Sequence, residues 1–353
     1  MKNILATLSE RVQHNCHITD ATHAGQYTLC IYLLKMREYF RWETGRGFDS
    51  PIDKEQLGQW LIEREGLWLD IEGQEYHALN IAGNSYEPFA TQAINQKLEK
   101  HGLVYSAGYG NKLRPHFFLA QLEKFHKEGD YSIYVTGTEY ARDLTAPPAM
   151  AQGNVIFLRR ESFRRMLWEK YEEWKWNKPD NAMKRAIEHY PFASDVLEAL
   201  EQMTSNELNM ALLHEIGEVQ ATALLGQSWR EILSRLPRSK AEIMLRAVKD
   251  HLADSLSTLP ALLSDFRPES LHFYIANLTS MRKTIAPGLM QCYQQWLHKG
   301  GNDNALEPLK SYNARARQHW LDVARQVIIL REEYLENKAY VAKIANLVEQ
   351  SYL

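Results

Sequence analysis

The chain has 353 residues, 45% hydrophobic and 24% charged, with 41 Lys plus Arg against 44 Asp plus Glu and a formal net charge of -3. That length supports one large domain or two ordinary ones, the composition argues against disorder, and the charge offers no global attraction to nucleic acid or to an anionic membrane. Cys16, Cys30 and Cys292 are far apart without a paired spacing, no window approaches the roughly 20 apolar residues of a bilayer span, and the N-terminus lacks a signal pattern. A soluble, disulfide-free protein of the cytoplasm is expected.

Ile4, Leu5, Leu8 and Val12 predict a short amphipathic helix over Asn3 to Gln13. The following polar segment carries His14, Cys16, His17, Asp20 and His23, and lacks the second short-spaced Cys or His pair of a structural zinc site. It reads as a loop in which Thr19 or Asp20 caps the next helix. That helix, about Ala21 to Glu43, is apolar around most of its middle, from Tyr27 through Leu34. It is expected to be central, with Leu29, Leu33 and Leu34 in the core and Glu38 turned inward against an arginine. Glycine and proline in TGRGFDSP end it, and a further helix is expected over Asp53 to Glu65.

From Leu67 to Leu158 glycine, aromatic and β-branched residues rise, and Leu103 to Tyr109, Tyr131 to Thr136 and Asn154 to Leu158 read as strands of a small sheet. Helices are expected at Phe89 to His101 and Pro115 to Lys127. The second would carry a lone Glu-x-x-His, Glu123 to His126, on a solvated face. Ser106 to Pro115 is a glycine-rich turn whose Lys112 and Arg114 could meet an anion, but it lacks the Gly-Lys-Ser/Thr ending of a phosphate loop. Thr145 to Met150, TAPPAM, reads as a rigid connector. Arg159 to Trp176 mixes Arg159, Arg160, Arg164 and Arg165 with Phe163, Trp168, Trp174 and Trp176, and Glu161, Glu169, Glu172 and Glu173 answer most of that charge. A salt-bridged helix with inward tryptophans fits better than a surface for a nucleic-acid strand. Asn177 to Asp180 is the expected boundary. The whole is therefore read as mainly α, with an N-terminal α+β domain (1–178) carrying the small sheet and a C-terminal helical bundle domain (179–353).

Beyond the boundary nearly everything has a helical period. Helices are expected near Pro191 to Met203, Asn206 to Leu225 with a cap among Thr204, Ser205 and Asn206, Ser228 to Leu236, Lys240 to Thr258, Pro268 to Thr284, Gly288 to His298 and Asn304 to Lys310. The last is expected from Tyr312 to the end, with a break around Asn337. Two of these put ionisable side chains beside apolar stripes. Leu208, Leu212, Ile216, Val219 and Ala223 share a face with Glu215 at its edge and Glu218 a turn later. Met244, Val248 and Leu252 form another stripe, with His251 at its edge and Asp254 a turn later. Packed face to face, they would gather Glu215, Glu218, His251 and Asp254, a ligand set suited to non-haem iron, manganese or zinc, with His214, Asp250 or His272 completing it. The expected function is a metal-dependent enzyme of unspecified substrate. The competing readings are a plain salt-bridge network, and a non-catalytic protein that binds a protein or small ligand through its aromatic helices.

Overall fold

The computed structural model describes residues 2–110, 114–334 and 339–353, and their side chains apart from 2–4, 331–334 and 339. It is 65% helical and 14% strand, mainly α, with a small sheet and helices in the N-terminal region and helices in the C-terminal region. The chain divides into two compact units, Met1–Lys170 and Tyr171–Leu353. No helix among the described residues is long and apolar enough to cross a membrane.

The first unit begins with α1 (Lys2–His23), α2 (Leu29–Glu43) and α3 (Lys54–Ile71). A hairpin of β1 (Leu79–Ile81) and β2 (Asn84–Tyr86) follows, turning at Ala82 and Gly83, both with positive φ. After α4 (Thr91–Leu98) come β3 (Leu103–Tyr109), β4 (Pro115–Glu128), β5 (Tyr131–Arg142), β6 (Ala149–Gln152) and β7 (Val155–Arg159). They form one sheet in the order β3-β4-β5-β7-β6, parallel only between β5 and β7.

Pro115 to Lys127, expected as a helix, is the long strand β4, whose first six residues are all buried. Phe117 and Leu119 pack with Leu103, Tyr105 and the α1 residues Leu8, Val12 and Cys16, while Phe118 and Ala120 pack with Val104, Tyr134 and Phe157. A strand covered on both faces loses the polar alternation that would distinguish it from a buried helix. Glu123 and His126 are therefore not the one-turn pair a helix would make. TAPPAM is partly strand, since Ala149 and Met150 pair with Leu158 and Phe157.

The segment from His14 to His23 is the second half of α1 and no loop, because its polar side chains have partners in the interior. Asn15 accepts from the His77 amide and donates to the His77 carbonyl, the Cys16 thiol donates to the Phe117 carbonyl, and Asp20 accepts from the Leu144 amide. Thr19 and Asp20 are thus buried within a helix and cap nothing. A 3₁₀ turn at Ala24–Gln26 separates α1 from α2. The start of α2 is on the surface, against expectation: Leu29, Leu33 and Leu34 are 71%, 47% and 54% exposed. Core places go instead to Met36 and Tyr39, with Ile18 and Ala24 of α1 and Trp68 and Ile71 of α3. Glu38 is buried against Arg37 and Arg41 as expected.

Of the residues that could have met an anion, Arg114 is turned inward to Asp20 and Tyr27, and Lys112 lies outside the described residues. Arg159 ends β7 fully buried in a two-bond pair with Glu139, ahead of α5 (Arg160–Asn177). On α5 Arg165 pairs with Glu161 and Trp168 is buried, but Trp176 is exposed.

The second unit contains α6 (Ala182–Ile187), α7 (Val196–Arg235), α8 (Lys240–Ala253) with a π-helical turn at Asp254–Thr258, and α9 (Leu259–Ser264). It continues with α10 (Pro268–Asn277), α11 (Ser280–Ile285), α12 (Pro287–His298), α13 (Glu307–Tyr334) and α14 (Ala339–Glu349). The three helices expected between Pro191 and Leu236 are largely the single α7, interrupted only at Gly226 with φ 69 and ψ -162. Thr204 is not a cap: its hydroxyl donates to the Leu200 carbonyl inside the helix, and Asp195 caps the true start by accepting from the Leu197 and Glu198 amides. Pro268 to Thr284 divides in two, with Thr279 capping α11. The break expected near Asn337 falls outside the described residues. One core runs through the unit, including Trp229 of α7, Val248 and Leu252 of α8, Trp296 of α12 and Trp320 of α13.

Candidate metal centre

α7 comes close to α8 at Gly217, where an added Cβ would lie 2.2 Å from the Ala253 carbonyl oxygen. Only glycine permits that distance. Ala253 immediately precedes the π-helical turn, a local widening of the helix that recurs at functional sites. The contact sets His214 and Glu218, one turn apart on α7, beside Asp250 and Asp254, one turn apart across the end of α8.

A ring nitrogen of His214 and carboxylate oxygens of Glu218 and Asp250 lie within 4.8 Å of one another, the one such group of potential metal ligands among the described residues. Asp254, 1% exposed at its side chain, stands behind them. Its Oδ1 is 2.9 Å from His214 Nδ1, and its Oδ2 accepts from the Tyr274 hydroxyl at 2.9 Å and from the Arg282 guanidinium. The Asp254 contact takes up His214 Nδ1 and leaves Nε2 as the ring nitrogen outside the pair. Glu218 Oε2 is bonded to the Lys249 ammonium, whereas its Oε1 is buried without a hydrogen-bond partner. Burial raises the Asp250 pKa above the usual carboxylate value; Glu218 adds to the rise, and Arg282, His214 and Lys249 oppose it.

The models of two consecutive domains of one family match this chain, the N-terminal over residues 7–159 and the C-terminal over residues 164–351. The chain belongs to the family of unknown function DUF6866. No curated protein and no solved structure matches it. Every residue of the cluster, from His214 to Arg282, lies in the part matched as the DUF6866 C-terminal domain.

Of the four ligands read from the sequence, only Glu218 is in the group of three. Asp254 is one hydrogen bond away, as a support for His214. Glu215 is half-buried on α7 and outside the group. His251 is committed elsewhere: its Nε2 donates to the Arg282 carbonyl at 2.9 Å, and its ring stacks on Trp320 with centroids 5.0 Å apart. Burial and the Arg282 charge lower its pKa to about 3, so it is neutral. His272 meets the Tyr293 hydroxyl and is also outside the group. The group takes His214 and Asp250, which precede Glu215 and His251 by one residue, about 100° of helical rotation. The signal that could have set the register is Gly217, since a glycine inside an otherwise apolar helical run marks a close approach.

Proposed function

We propose that this DUF6866 chain is a non-haem metal-dependent enzyme whose C-terminal unit holds one divalent ion through His214, Glu218 and Asp250. Asp254 orients the histidine from behind, as carboxylates commonly do for metal-bound imidazoles. The observation that carries the reading is Glu218, which stands beside two other ligand groups and whose Oε1 is buried without a hydrogen-bond partner. That oxygen could accept an ion while Oε2 keeps Lys249. The three ligand atoms lie within 4.8 Å of one another, close enough for one ion with ligand bonds of about 2.0–2.2 Å to draw them together. Mixed nitrogen and oxygen donors suit iron, manganese or zinc, and three protein ligands leave positions for water or substrate. When bound, the ion supplies Lewis acidity or redox chemistry. Around it, Lys249 and Arg282 hold compensating charge, and Asp254 holds the His214 ring. The exposed Cys30 thiol, with the other two cysteines also free, supports a cytoplasmic setting.

Elemental analysis of protein purified without a histidine tag tests the reading. About one equivalent of iron, manganese or zinc is expected, and it should be lost in His214→Ala and in Asp250→Asn with folding intact. If Lys249 and Arg282 merely neutralise the acids, no metal will be found under any loading condition, and the substitutions will change stability alone.

A further inference from the structure

On α3, Glu65, Trp68 and Leu69 recur at the spacing of one helical face, and Glu72 follows as the residue that ends the helix. This face borders the elbow between α1 and α2, and the two line an open pocket of about 470 Å³, within the range of small-molecule sites. The space exists because Ala21, Ala24 and Gly25 of the elbow put no bulk into it, and the walls are the rings of Tyr27, Tyr32 and Trp68. Leu29 and Leu69, which also line it, are 71% and 76% exposed and offer apolar surface to whatever enters.

The lining includes two carboxylates, Glu65 and Glu72, and no lysine, arginine or histidine. Tyr32 donates to Glu65 at 2.8 Å, which fixes that acid at the pocket. Two nearby cations are already engaged: Arg114 and Lys35 sit over the Tyr27 ring, the first paired with Asp20 and the second with the Leu144 and Thr145 carbonyls. The ring surfaces left for a guest are therefore those of Tyr32 and Trp68. An anion would face two like charges. A neutral apolar guest would cover the carboxylates without compensating them.

We propose that this pocket binds a small organic amine with an apolar body, its ammonium at Glu65 and Glu72 and its hydrocarbon against Tyr32 and Trp68 between Leu29 and Leu69. The site belongs to the first unit and is independent of the proposed metal centre. Calorimetric titration of the full chain with octyltrimethylammonium, 1-octanol and octyl sulfate tests it, since the three share a tail and differ in charge. The ammonium should bind about tenfold more tightly than the alcohol, and the sulfate least. Glu65→Gln with Glu72→Gln, both at exposed positions, should reduce the ammonium to the level of the alcohol. Ala21→Leu, which fills the space, should remove both guests while the far-ultraviolet spectrum stays the same. Equal affinity for the three probes, no binding of the ammonium, or an unchanged preference in the double variant would overturn the proposal.

Discussion

Two carboxylate clusters, one in each unit, bring arginine to buried acids and are closed in different ways. In the first, Asp20 accepts from the Leu144 amide through both oxygens and from Arg114, while Asp143 accepts from the Phe117 and Ala146 amides. Burial and the facing Asp143 push the Asp20 pKa up to about 8, with Arg114 and the Leu144 amide opposing. In the second, the partners of Glu218 and Asp254 are the side chains of Lys249, His214, Tyr274 and Arg282, and one carboxylate oxygen is left over. Backbone amides cannot swing aside, so the first cluster ties α1 to β4 and to the segment after β5. Side chains can rearrange, so the second can admit an ion.

The largest effect is expected where backbone groups depend on the acid. Asp20→Ala leaves Arg114 and the Leu144 amide buried without their acceptor, and should lower stability by about 3–5 kcal/mol in urea unfolding. Asp250→Asn should change the same measurement by less than about 1 kcal/mol. Similar losses at the two sites would erase the distinction between a clasp and an adaptable site.

Within α7 the contrast is sharpened by Glu207, a fully buried acid that accepts from the Tyr190 and Ser270 hydroxyls. Burial raises its pKa to about 7. The folded chain thus keeps a proton that the unfolded chain releases near pH 4.5, so this contribution is complete below that pH and is lost as pH rises through about 7. It should amount to about 3 kcal/mol, read as the difference in pH-stability slope between the wild type and Glu207→Gln over that window. Parallel slopes would mean that Glu207 is ionised in place.

A smaller loss is expected for Gly217→Ala, which forces α7 from the Ala253 carbonyl: about 1–3 kcal/mol of stability, with metal affinity falling as well. Unchanged affinity would show that the helix approach does not set the cluster. The smallest effect is expected at Leu34. At 54% exposure its replacement by Ala should shift unfolding by no more than about 0.5 kcal/mol, whereas the core position expected from sequence would cost about 2–5 kcal/mol.

Leu34 also illustrates what a single sequence can carry. Apolar residues around a whole helix imply burial, yet they do not say whether anything covers the helix. Strands β3, β5 and β7 are legible because Val, Ile, Tyr and Thr concentrate between turn residues, and Pro268 and Pro287 mark helix starts from their own backbone limits. β4 is not legible, since Phe117 to Ala120 are apolar on both faces. At the candidate site α7 and α8 are identifiable from their stripes, and Glu218 and Asp254 from their positions beside them. The choice between Asp250 and His251 depends on Trp320, which is distant in sequence and takes His251 into the core.

Anomalous diffraction from crystals of the full chain equilibrated with Mn²⁺ tests the central claim most directly. The account predicts one manganese peak about 2.0–2.3 Å from His214 Nε2, Glu218 Oε1 and an Asp250 oxygen. Asp254 would remain on His214 Nδ1, and Lys249 on Glu218 Oε2. A map in which these side chains are well ordered, with Lys249 and Arg282 closing the cluster and no anomalous signal among the three ligands, would contradict it.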